Sequence, residues 1–367
     1  MTWDHPRGYD PLAAATREWR AQTGQDIQWD RRSLQDFETF SVEELARQYD
    51  LIVIDHPHVG QVADAGCLLA LDTVCDPASL AAIAAGSVGA SFPSYHWKDH
   101  QWALPIDAAT QVQSWVPGRL PGPVTTWDAV MALAGAGGIA LALRPPHSLM
   151  SLFTLCGLQG LTLDVTGVDL FPPEARLAYQ RLSQLVALLD PQAYDQDPIA
   201  VLEAMGEARS RIAASPLIYG YVSYALEDFR DTRIAFHDLP LVGAAGPAGS
   251  ALGGTGIAVS ANSEHRDEAA AFALWVASGP IQTRVYAPSG GQPGHAQAWE
   301  DAALNRQTMD FYTATRATLD GAWLRPRHAG YMGFQQQASD RLNDALRGGE
   351  DADGTIAALN RLYRASL

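Results

Sequence analysis

The stretch 51-LIVIDHPHVG-60 joins an apolar run to a polar end. Four branched apolar residues at 51–54 are typical of a short strand buried on both faces of a parallel sheet. An Asp and two His follow at once, and a similar group, WDHPRGYD, stands at residues 3–10. Ligands bind beyond the carboxyl ends of the strands in such sheets. We therefore expect both groups at one rim, where they are candidates for a metal site, a catalytic base or a ligand cleft.

The segments around this run alternate between helical and strand patterns. Four of them are PLAAATREWRAQTG (11–24, a helix ending in Gly), QDIQWD (25–30, a strand), SVEELARQ (41–48, a helix with a Ser41–Glu44 capping box) and GIALALRPPH (138–147, a strand with a His-bearing loop). Residues 1–72 therefore predict a β-α-β-α-β start of a doubly wound sheet.

Length, composition and charge narrow the class of protein. A chain of 367 residues exceeds the usual size of a single core, so two domains are expected. The net charge of −16, from 41 acidic and 25 basic residues, argues against a nucleic-acid or anionic-membrane partner. No window reaches the roughly 18 apolar residues of a membrane span. Cys67, Cys75 and Cys156 cannot all pair and match no metal-ligand spacing, so we expect buried or free thiols.

The N-terminus leaves the location open. MTWDHPRGYD lacks the basic segment, the apolar run and the cleavage site of a secretory leader. The protein is periplasmic or extracellular if a leader was removed, and cytoplasmic if Met1 is the native start.

Four further segments occur in an order that has a known counterpart. They are WALPIDAATQV (102–112), LGGTGIAVSANSEHRDEAAAFALWVAS (252–278), VYAPSGGQPGHAQAW (285–299) and RPRHAGYMGFQQQASDRLNDALRGGEDADGTIAALN (325–360). In this order they resemble the crossing strand, the Gly-rich return with its helix, the loop before the terminal helices and the C-terminal segment of extracellular solute-binding proteins of family 1. That group contains the sugar- and maltodextrin-binding proteins of ABC importers.

The resemblance implies an α/β protein with the two-lobe periplasmic-binding-protein fold (type II, maltose-binding-protein-like), in which hinge strands cross a ligand cleft. The first lobe would comprise residues 1–107 and 240–305, and the second residues 108–239 and 306–367. Ligand binding would close the cleft by hinge bending. The protein would be the monomeric substrate-binding component of an ABC importer, with a small-molecule ligand and a permease as partners.

Sixteen residues are candidates for binding the ligand. Asp107, on the crossing strand, would accept hydrogen bonds from ligand hydroxyls or an amine, or else anchor the hinge. Arg325 and Arg327 could clamp an anion bidentately, or form structural salt bridges. The full set is His5, Arg7, Tyr9, Asp55, His56, His58, Asp107, His147, Tyr219, Tyr221, Gly253, Gly254, Gly291, Gln292, Arg325 and Arg327.

Two ligand chemistries fit this set. Abundant Trp and Tyr with Asp and Gln suit a sugar, whose C–H face stacks on rings while its hydroxyls bond acids and amides. The three Arg and the His residues suit a carboxylate instead. We expect no cofactor, and no metal at Asp55, His56 and His58, because three ligands within four consecutive residues strain tetrahedral geometry.

Enzyme signatures are mostly absent from the sequence. The Gly-rich segment lacks the P-loop Lys, and neither a G-x-S-x-G elbow nor an H-E-x-x-H helix occurs. The sequence thus favours binding without turnover. The alternative is a leaderless cytoplasmic protein on the same fold that acts as an enzyme or a metabolite sensor.

Overall fold

The computed structural model describes residues 1–33 and 41–367 as a mixed α/β protein. Its strands are β1 Thr2–Trp3, β2 Arg31–Arg32, β3 Leu51–Asp55, β4 His96–Trp97, β5 His100–Gln101, β6 Leu104–Trp115, β7 Ala214–Tyr219, β8 Ala235–His237 and β9 Leu252–Val259.

The α-helices alternate with these strands and then fill the C-terminal part. They are α1 Pro6–Thr23, α2 Val42–Ala46, α3 Val59–Ala65, α4 Pro77–Gly86, α5 Ser91–Ser94, α6 Trp127–Gly135, α7 His147–Leu158, α8 Ala175–Val186, α9 Pro198–Gly206, α10 Arg266–Ala277, α11 Gly279–Ile281, α12 Ala296–Trp299, α13 Ala302–Gln307, α14 Phe311–Ala314, α15 Arg316–Asp320, α16 Tyr331–Gly348 and α17 Ala352–Ser366. No helix in the described ranges is both long and apolar enough to cross a membrane.

The central sheet has the order β3-β9-β6-β7, with β8 also paired to β6, and these pairs are antiparallel. We predicted parallel neighbours for β3. The prediction is wrong for β9, which pairs with β3 in the antiparallel sense. On the other side Met1 bonds in a parallel pattern: its amino group donates to the Leu51 carbonyl at 2.9 Å, and its carbonyl accepts from Val53 at 3.1 Å. The apolar run fits both neighbours because 51–54 is buried on both faces.

Strand β6 connects two packed regions. Its first half, from Leu104 to Thr110, pairs with β9, and its second half, from Gln111 to Trp115, pairs with β7 and β8. One hydrophobic core draws most of its buried side chains from 1–19, 42–106 and 257–286, and another from 127–217 and 331–363. A third core packs along the later part of β6. This third core contains residues of both expected lobes, for example Trp299 and Phe311, and the lobe boundaries stay a prediction.

Helix α1 begins earlier than the pattern at 11–24 indicates. Pro6 occupies the first turn, where its fixed φ suits a helix start. His5 is the N-cap, and its Nδ1 accepts from the backbone N–H of Arg7 at 3.1 Å. The helix ends as predicted at Gly24, whose φ of 79° lies in the left-handed region that favours glycine. The early start brings Arg7 into the first turn of the helix.

Three local predictions were wrong. Residues 25–30 form no strand, and the strand pairing lies at 31–32. Ser41 precedes α2, but its side chain makes no capping hydrogen bond. Residues 139–143 are buried and form only one isolated bridge, because their backbone groups bond partly to residues 213–214 and partly to residues 193–196.

A tight hairpin joins β4 to β5. Its two turn residues, Lys98 and Asp99, have φ of 49° and 63°, as a two-residue hairpin turn of the mirror-image type requires. Lys98 is the single lysine of the chain. Its exposed ammonium bonds to Asp64 at the end of α3.

Candidate functional site

A cavity lies where the ends of β1 and β3, the first turn of α1, the middle of β6 and the start of β9 come together. Helices α7, α9 and α16 contribute the opposite wall. The lining residues are Trp3, Arg7, Asp55, Asp107, Ala109, Pro146, His147, Met150, Pro198, Tyr219, Tyr221, Gly253, Gly254, Thr255, Arg325, Met332 and Gln335.

Arg7 and Asp107 form a buried bidentate ion pair at the floor of the cavity. Arg7 Nε donates to Asp107 Oδ2 at 2.8 Å, and Nη2 donates to Oδ1. Arg7 Nη1 reaches across to the Gly220 carbonyl at 2.8 Å. The side chains are 4% and 0% exposed. Burial raises the pKa of Asp107, and the Arg7 guanidinium offsets only part of this rise.

Asp55 and Arg325 form a second ion pair on the cavity wall. Arg325 Nη2 lies 2.9 and 2.7 Å from the two carboxylate oxygens of Asp55. Its Nε donates to the Leu252 carbonyl at 3.0 Å, and Nη1 donates to Gln335 Oε1 at 3.0 Å. Burial alone would raise the pKa of Asp55, but the Arg325 charge, the hydrogen bonds from His56 and Arg325 and the nearby His56 together outweigh burial and hold that pKa well below the ordinary range. Two acids and two guanidinium groups thus balance one another around the cavity.

The histidines add no positive charge at neutral pH. Burial lowers the pKa of His147, which lines the cavity, to about 4. Burial, reinforced by Arg7 for His5 and by Arg325 for His56, also lowers both of their pKa values to about 4. The pKa of His58 is lowered by burial as well. The expectation that these histidines help to bind a carboxylate through positive charge does not agree with their lowered pKa values.

Two buried polar atoms at the cavity wall have no hydrogen-bond partner among the described residues. They are Nδ1 of His147 and Oγ1 of Thr255. Their residues are 4% and 6% exposed. Buried polar groups normally find partners, so these two atoms are candidates for contact with a bound solute.

Aromatic rings complete the wall. Trp3 at the end of β1 is buried, and Tyr219 and Tyr221 follow one another at the end of β7. The Tyr219 hydroxyl donates to the Ala251 carbonyl at 3.2 Å. The Arg7 guanidinium lies 4.5 Å from the centroid of the Tyr221 ring. The rings therefore present apolar faces beside charged groups.

Nine of the sixteen predicted binding residues line the cavity. These are Arg7, Asp55, Asp107, His147, Tyr219, Tyr221, Gly253, Gly254 and Arg325. The other seven, His5, Tyr9, His56, His58, Gly291, Gln292 and Arg327, do not. For all sixteen, a role in ligand binding stays a prediction.

Several of the seven residues outside the cavity wall brace the residues that form it. His5 packs edge-on against Tyr221, with ring centroids 4.9 Å apart. Gln292 accepts from the Val222 backbone at 3.1 Å and donates to the Ala108 carbonyl at 2.8 Å. Such contacts fix the positions of the neighbouring segments.

Arg327 does not join Arg325 in the cavity. Its Nη1 donates to the carbonyls of Pro93, Ser94 and His96 at 3.0, 3.0 and 2.9 Å. Its guanidinium carbon lies 5.2 Å from the centroid of the Trp97 ring. Of the two arginines of the expected clamp, Arg325 therefore lines the cavity, whereas Arg327 ties the segment between α15 and α16 to the end of α5.

The sequence analysis missed part of the cavity wall. Eight lining residues are outside the predicted set: Trp3, which belongs to the WDHPRGYD group expected at the rim, and the missed residues Ala109, Pro146, Met150, Pro198, Thr255, Met332 and Gln335. Most are apolar or small, so no local chemistry marks them. Only Thr255 could have been identified from the sequence, because it directly follows Gly253 and Gly254, which were themselves predicted to bind the ligand.

In the described ranges no three His, Cys, Asp or Glu side chains are grouped to hold a metal ion. The expectation of a metal-free site at residues 55–58 stays a prediction.

A cavity lined by two ion pairs and by apolar and aromatic side chains lies beside the long strand that joins two main cores, and such an arrangement suits the binding of a small solute. The chain belongs to the family of bacterial extracellular solute-binding proteins, whose family model matches residues 20–309. Membership in that family implies a periplasmic or extracellular location. No curated protein matches the chain.

Solved structures confirm the predicted α/β, maltose-binding-protein-like two-lobe fold. A solute-binding protein from Thermotoga lettingae TMO bound with α-D-tagatose is 16% identical, with a TM-score of 0.83 over 98% of this chain and 96% of that one. One from Agrobacterium radiobacter K84 in complex with ribitol is 19% identical, with a TM-score of 0.79 over 98% and 97%. Maltose-bound MalE3 of T. maritima is 15% identical, with a TM-score of 0.81 over 98% and 96%.

Proposed function

We propose that this protein is the substrate-binding component of an ABC importer and that its solute is an uncharged sugar or polyol. The observation that carries this proposal is the charge balance of the cavity: each lining guanidinium is already paired with a carboxylate. The solute-binding proteins of similar fold bound to ribitol, tagatose and maltose support it.

The cavity offers the groups that a polyhydroxylated ligand uses. An ionised carboxylate has about four lone-pair positions, so Asp55 and Asp107 can still accept from ligand hydroxyls after their arginine bonds are made. The unpartnered His147 Nδ1 and Thr255 Oγ1 can exchange hydrogen bonds with further hydroxyls. The aromatic rings provide faces against which sugar C–H groups pack.

A carboxylate ligand fits this cavity poorly. An anion needs a cation that is not already neutralised, and the lining Arg7 and Arg325 each hold a buried acid. Placing a third carboxylate there would leave one negative charge without a partner in a desolvated site, which costs several kcal/mol.

We also propose that the two lobes follow the boundaries 1–107 with 240–305 and 108–239 with 306–367. The contacts that would then bridge them include Arg7 to Gly220, Asp55 to Arg325, and Arg327 to residues 93–96. Bridging contacts of this kind favour the closed form. Ligand binding in the cleft should favour the same closed form. The radius of gyration in solution should then fall on ligand addition, as small-angle scattering would measure.

The functional test is a thermal-shift screen followed by calorimetry. Neutral sugars and polyols should raise the melting temperature, since a ligand that binds only the folded form stabilises it by mass action. Sugar acids and amino acids should not. Tighter binding of a sugar acid than of its neutral parent sugar would overturn the proposal.

A further inference from the structure

The cavity is small for a carbohydrate site. Its volume of about 80 Å³ has room for roughly five to eight water molecules, at about 10–15 Å³ each on this measure. That is the scale of one sugar ring or a short polyol. Whether this size is a fixed property depends on how firmly the wall is held.

The Trp3 wall cannot retreat. A carbon added at the Cα of Gly8 would lie only 2.4 Å from the Trp3 ring, so the ring rests directly on the α1 backbone. Trp3 is 3% exposed. The ring is therefore fixed by the helix behind it.

The Tyr219 wall is fixed in the same way. A carbon added at Gly253 would lie 2.7 Å from this ring, which therefore packs against the backbone of β9. The Tyr219 hydroxyl is also held by the Ala251 carbonyl. Ring and strand cannot separate without losing both contacts.

The charged walls are equally constrained. Arg7 and Arg325 each use hydrogen bonds to backbone carbonyls as well as to an acid, so neither can swing aside without breaking a buried ion pair. Met150 on α7 is 1% exposed. Met332 at the start of α16 is the flexible part of the wall, because it is only partly buried.

From these constraints we infer that the ligand is a single monosaccharide or a short acyclic polyol, and that oligosaccharides are excluded. The inference rests on the proposed function and narrows it. A second sugar ring held inside the cavity would have to displace Met332 or one of the fixed walls. Met332 is thus a specificity-determining residue, and it acts by occupying space.

The test compares ligands of increasing length on the same protein. Calorimetry is run with a hexose, a pentitol, and the disaccharide and trisaccharide built from the hexose that binds. We expect the disaccharide to bind at least about 30-fold more weakly than the hexose, since about 2 kcal/mol of contacts would be lost or strained. In Met332→Ala the ratio of hexose affinity to disaccharide affinity should fall by about 10-fold, because the smaller side chain leaves space. Met131→Ala on α6, also partly buried, is the control and should leave the ratio unchanged.

The possible failures are distinguishable. A disaccharide that binds as tightly as the hexose, or more tightly, overturns the size limit and leaves the proposed sugar-binding function standing. An unchanged ratio in Met332→Ala removes this residue from the explanation of the size limit. Absence of binding by every carbohydrate in the series overturns both the proposed function and this inference.

Discussion

Replacing Asp107 with Asn should convert a balanced cavity into a positive one. The substitution keeps the shape of the side chain and removes its charge, which leaves the Arg7 guanidinium buried at 4% exposure without its counter-ion. Breaking a buried ion pair on one side costs about 3–5 kcal/mol, and the remaining amide oxygen places Asp107→Asn near the lower value. At about 2 °C per kcal/mol, the low end for large domains, the melting temperature should fall by about 6 °C.

The same change should alter ligand preference. A free guanidinium about 4 Å from a ligand carboxylate interacts by up to about 4 kcal/mol at an effective dielectric constant of 20. We therefore expect the affinity ratio of a hexuronate to its neutral hexose to rise by about 30-fold or more in Asp107→Asn, as measured by calorimetry at low salt.

The matched control is Asp169→Asn. Asp169 pairs with Arg364 on the surface, where the two side chains are 45% and 46% exposed. Removing its charge should change stability by less than about 1 kcal/mol and leave ligand preference as it was. If Asp107→Asn shows neither the loss of stability nor the shift towards hexuronate, the charge-balance argument for an uncharged ligand is refuted.

Three further predictions concern other parts of the molecule. An added carbon in Gly60→Ala would lie 1.8 Å from the Arg327 carbonyl oxygen, so ligand binding should weaken by about 10-fold or more as closure is impeded. Gly135→Ala, whose added carbon meets nothing within 4 Å, is the control and should bind normally; if calorimetry gives Gly60→Ala the same affinity as Gly135→Ala, the prediction is refuted. The folded pKa of His147, about 4, lies below its ordinary 6.5, so unfolded chains take up the proton first and about 3 kcal/mol of stability is lost as pH falls from 6.5 to 4. Urea unfolding should then depend less on pH in His147→Gln, and an unchanged slope would count against it. Burial raises the pKa of Cys156, so thiol reagents should modify it only after denaturation, as mass spectrometry would show.

Some local signals in the sequence were interpreted correctly, although the strand at 25–30 and the Ser41 cap were not. The Gly that ends α1 is recognised from the helical pattern just before it, and the structure has it as the C-cap. The order of segments along the chain indicated the fold, because each segment keeps its pattern whatever its neighbours are.

The site depended on pairings that no local pattern contains. Arg7 and Asp107 are 100 positions apart, and Asp55 and Arg325 are 270 positions apart. Composition shows that arginines are present, but only the fold shows that these two are neutralised. The same limit applies to Gly8, whose closeness to Trp3 depends on how β1 meets α1.

The hairpin between β4 and β5 makes this protein convenient to label. An amine-reactive dye has one lysine to attack, Lys98, whose side chain is 58% exposed. The neighbouring Trp97 carries the Arg327 guanidinium on its ring. A dye on Lys98 therefore sits one residue from a contact that links the two proposed lobes. Its emission should respond to solute addition. The chain labelled at Lys98 can then serve as an optical sensor, with no cysteine introduced for labelling.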